Sequence, residues 1–240
     1  MGFYDARILP RLTHLAMGQE QLLPYRRRAV ALARGRVLEI GIGSGLNLAH
    51  YPNAVTRVIG VDPSPGLLRL AAEASGRPGL ETELVEGRAE ALPLEDASVD
   101  CAIATWTLCS VSDPRRALAE IRRVLRPDGV LAFVEHGLAP EPRVRRWQRR
   151  LTPLWSRCAG NCHLDRPTAA LVEEGGFRIE GLRTGYAAGP KPLVFMYEGV
   201  ARRPRSRRAG SGPSARCTTT LAGAEAGWAP PPKALRRFED

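Results

Sequence analysis

Lysine is almost absent: of the 35 basic residues in this 240-residue chain, only Lys191 and Lys233 are lysines. Arginine stands wherever a basic residue is wanted, helix surfaces included, so the arginine count by itself carries no argument for phosphate binding. Also missing is any run near the ~18 apolar residues of a membrane-spanning helix. The N-terminus MGFYDARILP lacks an apolar stretch followed by a cleavage site, and Ala6 stands where a myristoylation signal has Ser or Thr. Cysteine is sparse and odd in number, at Cys101, Cys109, Cys158, Cys162 and Cys217. A chain of this length needs no disulfide staples, and the pattern fits reduced thiols. These absences give the expectation of a soluble, cytoplasmic protein.

What is present is ordinary globular composition, 44% hydrophobic and 25% charged residues, with length enough to bury one full core. The formal charge of +10 is unevenly placed. Residues 201–240 hold nine basic residues against three acidic ones, so six of the ten charges belong to that stretch. It is also rich in Arg, Ser, Gly and Pro, and is expected to be a disordered basic tail.

Strand-like and helix-like patterns alternate before it, which predicts a mainly parallel sheet covered on both faces. The strand candidates are 36–40, 57–61, 82–87, 99–104, 130–135, 177–184 and 192–200. Helices are expected over 67–74 and 166–176, and after Asp113, where Pro114 takes the first turn and Ala117, Leu118, Ile121, Val124 and Leu125 repeat at helical spacing. Pro127 and Gly129 are expected to end that helix. Only GYAAGPK separates the last two strands, too little for a crossover, so they should form an antiparallel hairpin with one reversed strand near the sheet edge. The expected division is a helical lid or docking segment at 1–35, a Rossmann-like seven-stranded α/β domain at 36–200, and the tail at 201–240.

The stretch VLEIGIGSG ends a strand at Glu39 and places Gly41, Gly43 and Gly45 at the carboxyl edge, where open α/β sheets bind ligands. A dinucleotide loop needs its third glycine where Leu46 stands, and a P-loop needs a Lys-Ser/Thr pair that is missing. Neither phosphate loop matches. Asp62 ends the next strand, 17 residues beyond Gly45, within reach of a ribose diol. A ribose without a pyrophosphate points to an adenosine-type cofactor, and leans toward S-adenosylmethionine.

With VIGVDPSPGLL, VEGRAEALPLEDASVDCAIATWTLCSV and ALAEIRRVLRPDGVLAFVEH following in order, residues 36–133 resemble the type 11 domain of class I S-adenosylmethionine-dependent methyltransferases. The resemblance implies that Glu39, Gly41 and Gly43 face the methionine part and that Asp62 faces the ribose. It places Arg88 and Ala89 at the adenine, flanked by Pro63 and Ser64. Arg88 stands where the family often has Asp, which makes Glu90 a substitute acceptor. TLCSVSDP, VEHG and GNCHLDRPTAALVEEGGF look like the methyltransferase-like branch that includes thiol S-methyltransferases. Membrane-bound members of that branch carry an apolar anchor before the domain, and this sequence shows none.

A sulfonium methyl group is already activated, so transfer needs an in-line approach and, for a neutral nucleophile, removal of a proton. Residues 105–111, beginning at Thr105, and 135–137 should lie beside the methyl group. His136 is the candidate base, oriented by Glu135, with a hydrogen-bonded strand-end histidine as the plain alternative. Cys109 reads as a small buried thiol rather than a nucleophile. Cys158, Cys162 and His163 have some metal-ligand character, but C-x3-C is a loose spacing without an evident fourth ligand, so no metal is expected. Asn161, His163 and Asp165 read in part as caps for the helix that follows, placed to close over the acceptor pocket.

Val144, Trp147 and Leu151 share a helical face among Arg143, Arg145, Arg146, Arg149 and Arg150, a pattern for peripheral membrane contact or for packing on the core. Phe3, Tyr4, Ile8, Leu9, Leu12 and Leu15 suit a lid or a docking helix. The favoured expectation is methylation of a small-molecule acceptor, a thiol first, with a quinone, phenol or lipid amine as competitors. The rival from another class is nucleic-acid binding through the arginine-rich tail. No stacking aromatics interleave its Arg runs, and TWTL stands where amino-methylating nucleic-acid enzymes carry a Pro-Pro-aromatic motif, so no specific nucleic-acid partner is expected.

Overall fold

A computed structural model describes residues 9–204. Seven strands form one sheet: β1 (Gly35–Ile40), β2 (Val55–Asp62), β3 (Glu81–Glu86), β4 (Val99–Thr105), β5 (Leu125–His136), β6 (Arg178–Tyr186) and β7 (Phe195–Arg202). Their order is β3-β2-β1-β4-β5-β7-β6, and only β7 runs against its neighbours. The helices are α1 (Leu9–Met17), α2 (Leu23–Val30), α3 (Pro65–Ala74), α4 (Pro114–Val124), α5 (Pro142–Cys158) and α6 (Thr168–Glu174). All seven expected strands are present, and the predicted hairpin is β6–β7.

The sheet is held by burial on both faces. Leu38, Ile40, Ile59, Ala102, Leu131 and Phe133 meet Leu118 and Ile121 of α4 on one side, while Val37, Val58, Cys101, Ile103 and Ala132 pack beneath Val30, Leu48 and Tyr51 on the other. The α4 start follows from local chemistry: Asp113 Oδ1 accepts the N–H groups of Arg115 and Arg116, each at 3.0 Å, and Pro114 gives up no needed donor. The end comes earlier than Pro127. Leu125 is already extended, fully buried and paired with Val99, and the chain then bulges through Asp128, whose φ is +64°.

Two further boundaries differ from the sequence reading. β7 runs through Arg202, and the backbone of Arg203 exchanges hydrogen bonds with Asp128 and Gly129, so the sheet reaches past 200. On α5 the face turned inward carries Gln148 and Thr152 with half-buried Leu151 and Trp155, whereas Trp147 is 50% exposed under Arg150. The helix has turned from the face expected, because Gln148 is needed inside: it accepts from Ala139 N at 2.9 Å and donates to Gly137 O at 3.0 Å. Leu12 and Leu15 of α1 are exposed, and Phe3, Tyr4, Ile8 and the tail from 205 onward lie outside the described residues. Among the described residues no helix is long and apolar enough to cross a membrane.

Candidate active site

The strand order reverses between β1 and β4, and the loops leaving their carboxyl ends open a crevice there. Gly41, Gly43 and Gly45 all have positive φ, at 60°, 57° and 76°. At Gly41 the need is also steric, because a Cβ would lie 2.2 Å from Thr107 Oγ1, the hydroxyl that donates to Ile40 O. At Gly43 the need is different. A Cβ there would meet nothing closer than Gly41 O at 3.9 Å, so the loop presents bare backbone to open space.

Asp62 lies beside that bare backbone. Its Oδ2 accepts Gly43 N–H and its Oδ1 accepts Ser64 N–H, both at 2.9 Å. Burial pushes its carboxyl above the usual carboxylate range, and the two N–H bonds partly offset this. Each oxygen keeps a lone pair beyond these bonds, the requirement for accepting from a vicinal diol. A carboxylate next to an uncovered glycine backbone fits the adenosine side of S-adenosylmethionine.

Glu39 is tied into the fold by its side chain. It is 1% exposed, with Oε1 accepting from Asn47 Nδ2 and Oε2 from Tyr51 Oη, both at 2.7 Å. Desolvation raises its carboxyl to about 7 against the lowering effect of those two bonds. Asn47 also donates to Thr105 Oγ1 at 3.0 Å and accepts from Arg26, whose other arm reaches Met17 O. Glu39 and Thr105 thus share one buried network that joins α2 to the underside of the glycine loop.

The expected adenine side follows β3. Arg88 is exposed and donates to Ser112 Oγ, while Glu90 Oε1 accepts the N–H groups of Ser112 and Asp113 at the start of α4. One oxygen of Glu90 is thus bound to backbone, while Oε2 has Arg88 Nε at 3.8 Å. Ala89 is buried against the core and Pro63 is exposed after β2. On the opposite rim His14 of α1 meets Ser44 of the glycine loop at 2.7 Å, a lid contact that the sequence pattern did not single out.

At the ends of β4 and β5 the expected pair separates. Successive strand residues point to opposite faces. Glu135, fully buried, accepts Thr107 and Leu108 N–H on Oε1 (3.0 and 2.8 Å) and Cys109 N–H on Oε2 (3.1 Å). It pins the loop after β4 and does not orient His136. His136 Nδ1 instead lies 3.4 Å from Cys162 Sγ, which is 3.6 Å from Cys109 Sγ. The hydrogen bond between the thiols, with burial second, holds the Cys109 thiol high.

The segment between α5 and α6 does not cap α6, which begins after Pro167 without a side-chain cap. It clamps the loop after β4. Asn161 Nδ2 donates to Ser110 O, His163 N–H to Cys109 O, and Arg166 to the carbonyls of Leu108 and Val111. Asp165 accepts from Thr152 of α5. Trp106, just after β4, packs against α2, with φ at +53°, Arg26 4.9 Å over its ring and Tyr25 edge-on at 6.4 Å. A bulky residue held at positive φ is strained, as residues at binding sites often are.

Comparison with known proteins agrees with the fold. The chain is 35% identical over 145 residues to a thiol S-methyltransferase of Rattus norvegicus, covering 59% of each chain. It is 36% identical over 125 residues to a phosphatidylethanolamine N-methyltransferase of Cereibacter sphaeroides, covering 50% of this chain and 61% of the other. The chain thus spans about three-fifths of the length of these curated relatives. A crystal structure of a S-adenosylmethionine-dependent methyltransferase of Methanosarcina mazei superposes with a TM-score of 0.57 at 24% identity, over 71% of this chain and 93% of that one. Residues 38–133 match the methyltransferase domain family, and the sheet order above is that of the Rossmann-like methyltransferase fold.

Proposed function

We propose that the protein transfers a methyl group from S-adenosylmethionine to a small-molecule thiol. The observation that carries the cofactor half is the uncovered backbone at Gly43 beside the Asp62 carboxylate, at the reversal of strand order. When bound, the cofactor supplies an activated sulfonium methyl group. Gly41, Gly43 and Asp62 hold it, and His14 on Ser44 fastens α1 over the loop.

The acceptor half is supported by the character of the β4–β5 edge. Trp106, Cys109, Cys162, Leu164 and Met196 form a buried apolar cluster with Val134 and Ala29. An apolar cluster at this edge suits a soft sulfur nucleophile beside it. An ammonium acceptor would need a carboxylate with free oxygens, and Glu135 has both on backbone N–H groups. A free thiol ionises near pH ~8.5, so a few per cent is thiolate at neutral pH; that fraction has already given its proton to bulk solvent before it binds, and the chain's task is positioning. The similarity to the rat thiol S-methyltransferase supports the same acceptor; the similarity to the lipid N-methyltransferase makes an amine the reading to exclude. Calorimetric titration with S-adenosylmethionine and its demethylated product tests the cofactor half. Saturable binding of both at one site is expected, and no binding of either would overturn it.

A further inference from the structure

Cys109, His136 and Cys162 come from the loop after β4, the end of β5 and the α5–α6 connection, yet their ligating atoms all lie within 4.8 Å of one another. The two sulfurs are 3.6 Å apart and Cys162 Sγ is 3.4 Å from His136 Nδ1. A tetrahedral zinc site has bonds of ~2.3 Å to sulfur and ~2.0–2.1 Å to nitrogen, which set S···S near ~3.8 Å and S···N near ~3.6 Å. Both observed separations fall within about 0.2 Å of that geometry.

We propose that Cys109, His136 and Cys162 form a binding site for a soft divalent cation of the zinc class. Two thiolates and a neutral imidazole balance a divalent charge, and sulfur with imidazole nitrogen is the donor set such a cation prefers. The ligands are held before any ion arrives. Cys109 is fixed by its N–H on Glu135 and its carbonyl under His163 N–H, His136 by the β5–β7 ladder opposite Met196, and Cys162 by its N–H on Ala159 O. Preorganisation of this kind keeps a three-ligand site from collapsing. Three protein ligands leave a fourth tetrahedral position for water or a substrate atom. Placing a substrate atom there rests on the methyl-transfer reading; the site itself does not. The pairing was hidden in the sequence because 53 positions separate Cys109 from Cys162, and the visible Cys158–Cys162 spacing points to a residue that is exposed and outside the trio.

The test is titration of cobalt(II) into the full chain after reduction and chelator treatment. The expected result is one cobalt per chain with thiolate-to-metal charge-transfer absorption and tetrahedral d–d bands, both displaced by zinc. Cys162→Ser and His136→Gln should weaken cobalt binding by about a hundredfold or more, since even outer contacts of a metal ligand are worth 10–100-fold. Cys158→Ser should leave it unchanged. Cys109 and Cys162 are buried, so the half-buried His136 provides the variant that keeps both thiols in place if a cysteine variant fails to fold. Absence of the charge-transfer band, its survival in both variants, or a Cys109–Cys162 disulfide forming with no cation taken up would overturn the proposal. Binding of S-adenosylmethionine measured on the same samples separates the readings. Cofactor binding without cobalt binding rejects the metal site alone, and cobalt binding without cofactor binding rejects the methyl-transfer reading alone.

Discussion

Glu135 and Cys109 are joined through the backbone: the N–H of Cys109 donates to Glu135 Oε2 at 3.1 Å, and the two preceding N–H groups share Oε1. One buried carboxylate thus sets the path of the loop after β4. Glu135→Ala would leave three backbone donors without an acceptor, at about 1–3 kcal/mol each. A loss of at least about 3 kcal/mol of unfolding free energy is expected in urea titration. A change below about 1 kcal/mol would show that the loop is held by other means.

Glu39 gives a pH dependence. Its carboxyl is raised to about 7 in the folded chain, above the ~4.3 of an unfolded Glu. The folded state therefore binds the extra proton between these values, so this contribution is complete below pH ~4.3 and is lost as pH rises through about 7. Stability of the parent chain should fall from pH 5 to pH 7.5 relative to Glu39→Gln, whose neutral amide does not titrate. Parallel curves for the two proteins over that range would contradict the buried, proton-binding role.

Asp62 serves both the loop and the ligand. Asp62→Ala removes two charge-assisted bonds, to Gly43 and Ser64, as well as the acceptor for a ribose. S-adenosylmethionine affinity should drop by more than about tenfold, and the melting temperature should fall too, because each such bond contributes about 1.5–3 kcal/mol. Undiminished cofactor affinity would misplace the ribose.

His14 fastens α1 to the glycine loop through Ser44. His14→Ala should leave stability nearly unchanged and weaken cofactor binding about two- to tenfold, the range of one net hydrogen bond. Calorimetry of the variant checks this, and equal affinity would reduce α1 to a docking helix.

Much of the architecture could be read from the chain because its causes are local. Alternating apolar runs marked every strand, Asp113 and Pro114 marked the start of α4, and the short GYAAGPK linker required the β6–β7 hairpin. Gly41, Gly43 and Asp62 were legible for the same reason: one loop and the next strand end bring them together. What could not be read depends on distant partners. The bonds from Asn47 and Tyr51 to Glu39, and the reach of Arg26 into that network from α2, are of this kind. Glu135 and His136 are neighbours in sequence, but strand alternation sends them to different partners. The Cys109–Cys162 approach and the Arg166 clamp depend on how the α5–α6 connection folds back over β4, which no local pattern encodes.

The central claim is tested most directly by incubating the full chain with methyl-labelled S-adenosylmethionine and a panel of small thiols, amines, phenols and quinones, then following the label. Transfer to a thiol in preference to the other acceptors, abolished in Asp62→Ala, is the predicted result. Preferential transfer to an amine, a phenol or a quinone, or no transfer by a chain that binds the cofactor, would contradict it.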